Sequence, residues 1–129
     1  MILRYRACIS LAVLAVVAAS AAASSVKAAT KRSFVLPRWW LTQALCIHRH
    51  ESTDWHRTTD WRGYPSRDHG GMQIDVSTWA AQAPKGFPRE PASASPREQL
   101  VVAYRIWRAN GHRFGGGQWP YSSAACGVD

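Results

Sequence analysis

Two cysteines, Cys46 and Cys126, stand near the two ends of the segment that is left to fold once the N-terminal stretch of this chain is set aside. The chain has 129 residues. Residues 1–6 carry Arg4 and Arg6, residues 7–19 are apolar apart from Ser10, and SAAASSVKAA follows. Basic, then apolar, then small residues is the order of a secretory signal peptide, and the apolar run is shorter than the ~18–20 residues that cross a bilayer. We therefore expect a signal peptide over residues 1–28, cleaved after Ala21, Ala23 or Ala28, with a retained N-terminal anchor as the alternative. A short basic tail over 29–36 (ATKRSFVL) leads into one domain over 37–129. Cys8 leaves with the signal. In an oxidising compartment the two remaining cysteines most simply pair, and two buried free thiols are the alternative. About 100 residues make a core of marginal area, so a bridge from the first helix to the C-terminal tail would limit strongly how the domain can fold.

The formal net charge is +8 and falls to about +5 when Arg4, Arg6 and Lys27 are removed. A basic exported protein suits an anionic cell envelope. Nucleic acid is the other usual partner of a basic chain, but the arginines are scattered and export argues against it. Seven tryptophans all fall after the signal. Some must serve the core, and others can offer flat faces to sugar rings.

Pro37 suits the first position of a helix, where its missing N–H costs nothing. From there Trp40, Ala44, Ile47 and Glu51 recur at steps of four, three and four, one face of a helix. Glu51 thus shares the apolar face and lies at the C-terminal end. Burial and the negative end of the helix dipole both disfavour its charge and raise its pKa. A carboxyl kept protonated near neutrality is what a general acid requires. The alternative is a frayed helix end with Glu51 in water, paired with Arg49 or His48.

Residues 52–69 have no sustained period and form a long loop or irregular hairpin. Gly70 and Gly71 permit close backbone approach or positive φ. Met72 and Ile74 alternate with Gln73 and Asp75 as a short extended piece, and Asp75 or Ser77 caps a short helix through residues 78–83. Residues 83–95 hold three prolines and read as a surface connection. Ser95, Pro96 and Glu98 form a capping box for a helix that runs to Asn110, with Leu100, Ala103, Tyr104 and Trp107 buried and Gly111 as its stop. Residues 114–126 read as a glycine-rich loop and tail. The sum is an α+β domain, mostly α, with a short β-hairpin.

In order, WLTQALCIHRHES, GGMQIDVSTW, PREQLVVAYRIWRANG and QWPYSSAACG resemble the transglycosylase-like domain of resuscitation-promoting factors and related exported muralytic proteins. The resemblance covers residues 39–127 and implies a small lysozyme-like fold. It also implies cleavage of the β-1,4 bond between N-acetylmuramic acid and N-acetylglucosamine in peptidoglycan. By position it makes Glu51 the catalytic glutamate, Gln73 a lining residue of the sugar cleft, and Cys46–Cys126 the family's disulfide. Trp79 and Trp119 match aromatic positions of the family. Gly71, Asp68 and Trp119 join Gln73 as expected substrate contacts. Many members carry tyrosine before the double glycine, where this chain has Asp68 and His69, and the loop over 52–68 follows no family pattern.

Glycosidases ordinarily use two carboxyl groups, and only Glu51 has a motif here. Asp54, Asp60, Asp68 and Asp75 are candidates for a second. Asp68 is the best placed, just before the glycines, against the plainer reading of a solvated loop aspartate. Glu51 alone suffices for a lytic transglycosylase, which ends in a 1,6-anhydro sugar; with Asp68 to direct water, the product would be reducing. Two rival readings stand beside these. His48, His50, Glu51 and His56 near Cys46 suggest a metal, but His50-Glu51 lacks the second histidine of H-E-x-x-H, since position 54 is Asp54. His50 could instead orient Glu51. A non-catalytic wall-binding or signalling module would keep the cleft without a tuned acid. We expect no metal and no cofactor, and a secreted or envelope-located monomer that meets peptidoglycan glycan strands and does not stay inserted in a membrane.

Overall fold

In the computed structural model, residues 34–128 are described. The expected signal peptide over 1–28 and most of the expected basic tail over 29–36 lie outside the described residues. Four helices and a two-stranded antiparallel hairpin follow in the order α1 (Arg38–Glu51), β1 (Asp68–His69), β2 (Ile74–Asp75), α2 (Val76–Gln82), α3 (Pro96–Ala109) and α4 (Pro120–Cys126), with a 3-10 turn at Pro91–Ser93. No helix among the described residues is long and apolar enough to cross a membrane. The mostly helical α+β class with one disulfide is therefore as expected.

Helix α1 follows its stripe. Trp40, Ala44 and Ile47 are fully buried, while Pro37 stands at the N-cap rather than at the first helical position. The 14-residue helix α3 has the expected capping box of Ser95 and Glu98, and Gly111 follows it at φ 65°. Its buried face packs Val102, Ala103, Ile106 and Trp107 against α1, the hairpin and Trp79 of α2. Trp40 stacks on Phe114, and Tyr104 stacks on Trp107. Four tryptophans, Trp40, Trp79, Trp107 and Trp119, are at most 8% exposed, so most of the tryptophan count is core.

Three local expectations are corrected. The extended piece is shorter than the alternation suggested: Gly70 through Gln73 turn the chain, and only Ile74 and Asp75 pair, with His69 and Asp68. Met72 and Ile74 are both buried for that reason, one from the turn and one from the strand. The connection over 83–95 is not all surface, since Pro91, Ala92 and Ala94 are buried under the 3-10 turn. The C-terminal loop and tail contain a helix, α4, which begins with Pro120 at its first position and ends at Gly127 in the left-handed conformation, φ 63°.

Gly70 and Gly71 seat the hairpin. Gly70 has φ 79°, a region L side chains rarely adopt. A Cβ on Gly71 would come within 2.5 Å of the Trp55 ring and 2.8 Å of His48 Nδ1. Without side chains, the turn lies flat against α1. There His48 Nδ1 donates to Gly71 O at 2.8 Å and stacks on Trp55. The fully buried Gln99 of α3 completes the seat: its Oε1 accepts from Gly71 N, and its Nε2 donates to Trp55 O and Ala94 O.

Gly71→Ala overpacks the hairpin seat, and urea denaturation should show a loss of about 2–3 kcal/mol. The Cys46–Cys126 bridge closes a separation of 80 residues, for which loop-closure entropy gives about 4.5 kcal/mol as a ceiling. Cys46→Ala with Cys126→Ala should lower stability by about 2–4.5 kcal/mol in the same assay.

Candidate active site

An open groove of about 750 Å³ runs between the hairpin, α2, the end of α3 and α4. Glu51 sits in its wall with Asp68 and Asp75, and Thr78, Gln82, Asn110, Gln118 and Tyr121 are among the other lining residues. The first helix ends with Glu51, so the same stripe that buries Trp40 and Ile47 turns its last member toward the groove. Glu51 is half-buried, not in bulk water as a frayed end would be.

Burial is the main cause that holds the Glu51 carboxyl above its ordinary pKa. The Ser122 hydroxyl opposes this by donating to Oε1 at 2.5 Å. The negative charge of Asp68 adds to the upward shift, and His50 opposes it. Asp68 is itself raised, first by burial and then by Asp75, its cross-strand partner. A hydrogen bond from Gln118, with Arg67 and His69, pulls the other way. Asp75 is lowered because its carboxylate caps α2, accepting from the Ser77 hydroxyl and the backbone N–H groups of Ser77 and Thr78. Two neighbouring carboxyls thus disfavour their charge, while the third is held ionised.

The expected contacts divide. Glu51 and Asp68 come together in the groove. Gln73 does not line it: its side chain donates to Gly70 O within the turn, and its φ of 45° belongs to that turn. What Gln73 gives the site is its carbonyl, which accepts from Gln118 Nε2 at 3.1 Å. Gly71 is buried in the hairpin seat and faces no open space. Trp119 is 1% exposed, with Nε1 donating to Met72 O at 2.7 Å, and offers no ring face to a sugar. Trp79 is likewise core, bonded to Pro88 O. Tyr121 and Ser122 lie on α4 and Gln118 just before it, in a segment that reads in sequence as loop and tail. Pro120 followed seven residues later by Gly127 was the signal for the helix.

The histidines do not converge. His48 bonds to Gly71 O, while His56 bonds to Ala92 O at 2.7 Å. His69 bridges Glu90 and Ser66 O. His50 lies with Cys46 and Cys126, their ligand atoms within 4.8 Å of one another. The two sulfurs are bonded to each other, which leaves His50 alone among the three with a free ligand atom.

The transglycosylase-like domain family matches residues 47–122, and the chain belongs to that family. It is similar to resuscitation-promoting factor Rpf1 of Corynebacterium glutamicum, 36% identical over 61 residues, which is 47% of this chain and 30% of that relative. The chain therefore matches less than a third of the relative's length. No solved structure matches the chain.

The sign of the Glu51 shift gives a stability test. A carboxyl raised in the folded state binds protons that the unfolded chain releases, so stability falls as pH rises from the unfolded pKa through the folded one. The penalty is complete above the raised value and absent well below the ordinary glutamate value of 4.5. Glu51→Gln removes the charge but keeps an acceptor for Ser122. It should raise Tm at pH 7, and the gain should vanish near pH 3.5, both readable by calorimetry.

Proposed function

We propose that the chain is an exported peptidoglycan-cleaving glycosidase that cuts the β-1,4 bond between N-acetylmuramic acid and N-acetylglucosamine. Glu51 is its general acid and base. The observation that carries this reading is the Glu51 carboxyl, half-buried at the end of α1, facing an open groove and biased toward its neutral form. Membership of the transglycosylase-like family and the resemblance to a resuscitation-promoting factor support the substrate class. The groove is open rather than a closed pocket, which suits a polymer laid across the surface.

In this mechanism the glycan lies along the groove with the scissile oxygen at Glu51. Glu51 donates its proton to that oxygen as the C1–O bond breaks, and the substrate's own N-acetyl group stabilises the electron-poor C1. The Glu51 carboxylate then takes the proton of the same sugar's 6-hydroxyl as O6 bonds to C1. A 1,6-anhydro end results, and Glu51 is protonated again. The Asp68 carboxylate adds to burial in biasing Glu51 toward its neutral form. It is engaged by Gln118 and faces Asp75, and both features suit an electrostatic role better than that of a nucleophile. Ser122 holds the Glu51 carboxyl in one orientation.

The test compares wild type with Glu51→Gln on purified peptidoglycan. Both should bind, and the variant's release of soluble muropeptides should fall by about 10²–10⁴-fold. Equal release by the variant would remove Glu51 from the chemistry, and binding without release by wild type would make the domain a wall-binding module. Mass spectrometry should find anhydro ends, and Asp68→Asn should slow release without changing the product. Reducing ends that depend on Asp68 would assign it to the activation of water.

A further inference from the structure

A second hollow, about 390 Å³ and shallow, opens beside the groove, lined by Gln82, Arg105, Arg108, Ala109 and His112. Gln82 and Ala109 also line the groove, so the two are continuous. Their charges are opposite. The groove holds Glu51, Asp68 and Asp75, whereas the side hollow holds two guanidinium groups and an imidazole.

Arg105 and Arg108 are three residues apart and share one exposed face of α3. His112 follows the helix with φ 67°, a region non-glycine residues seldom occupy. Its backbone N–H donates to Trp107 O, and its ring sits edge-on to the Trp107 ring, 4.6 Å between centroids. The chain therefore holds His112 beside the arginines rather than letting it turn away. Among the described residues neither arginine has an ion-pair partner; the pairs present are Arg67–Asp75 and His69–Glu90. A single cation in the last turn would be accounted for by the helix dipole. Three basic groups line one hollow with no carboxylate among its lining residues, an arrangement whose chemistry suits an anionic group.

We propose that this hollow is a subsite for the stem peptide of the glycan strand, with Arg105 and Arg108 taking its carboxylates. The proposal rests on the peptidoglycan reading of the groove. Every second sugar of such a strand carries, through a lactyl ether, a peptide that ends in carboxylates. A strand in the groove must send that peptide out to one side, and the hollow opens from the groove at Gln82 and Ala109. The acidic wall repels the stem's carboxylates, while the arginine forks suit them. Together they set which sugar of each pair lies at Glu51.

Binding of two soluble ligands tests this, followed by calorimetry or NMR titration of the exported form. One is the muramyl disaccharide alone, and the other is the same disaccharide with its stem peptide. Wild type should bind the stem-bearing ligand about fivefold more tightly, as two exposed charge pairs allow, and the advantage should shrink at high salt. It should disappear in Arg105→Ala with Arg108→Ala and persist in Arg105→Lys with Arg108→Lys. Equal affinity of wild type for the two ligands, or a preference that survives both alanines, would overturn the subsite alone. Failure of wild type to bind either disaccharide would instead overturn the peptidoglycan reading on which the subsite rests.

Discussion

Helix α4 is fastened to α1 at two levels, through the Cys46–Cys126 disulfide and through the Ser122 hydroxyl on Glu51. Residues 122 and 126 are four apart and share one face of α4, whereas residues 46 and 51 are five apart, roughly 140° around α1, so the two links grip the end of α1 from different sides. The covalent link fixes how α4 lies on α1. That placement brings Ser122 to the carboxyl and, with Pro120 and Tyr121, supplies one wall of the groove. A seven-residue helix has little stability of its own. Without the crosslink, the orientation of Glu51 would rest on a segment that frays easily.

The opposite wall is held by packing and buried hydrogen bonds. Gln99 reaches from α3 to the hairpin and to the loop at Trp55, and all three of its bonds are to backbone atoms. His48 adds a fourth tie from α1 to the same turn. Asp68 therefore faces Glu51 because two glycines let the turn settle between α1 and α3, where a side chain would have kept it away. The hairpin is too short to be stable alone. Its position is a consequence of the helices around it.

Much of this was legible in the sequence where local signals and burial agree. The α1 stripe, the α3 capping box, Gly111 and the Asp75 cap each have a local physical cause, and each forms within a residue or two of expectation. The disulfide followed from compartment and count. Gln99, Trp119 and Gln73 were not legible in the same way. A buried glutamine looks like any surface residue of a helix until the loop and hairpin it joins are in place. Trp119 has the chemistry of a sugar platform and the volume of a core residue, and only the packing around Met72 decides between them. Helix α4 was hidden by the glycine run that precedes it. With it went Ser122, the side chain that most directly touches Glu51.

The site also shows how a carboxyl can be biased toward its neutral form in a basic protein. The chain carries twice as many Lys and Arg as Asp and Glu, 16 against 8, and a positive surroundings would favour ionised carboxylates. Locally the balance is reversed. Burial acts first, and the pairing of Asp68 with Asp75 across the hairpin places like charges opposite one another, an arrangement that disfavours the fold. The helix cap lowers the Asp75 pKa; its charge adds to burial in raising Asp68, and the Asp68 charge adds in turn to burial in raising Glu51. The groove is thus a place where folding and ionisation oppose each other, and a crosslink with a ceiling of about 4.5 kcal/mol is large enough to offset a cost of that kind. The cap on α2, which looks like ordinary helix chemistry, is in this sense the far end of a chain of charges that adds to burial in raising the Glu51 pKa.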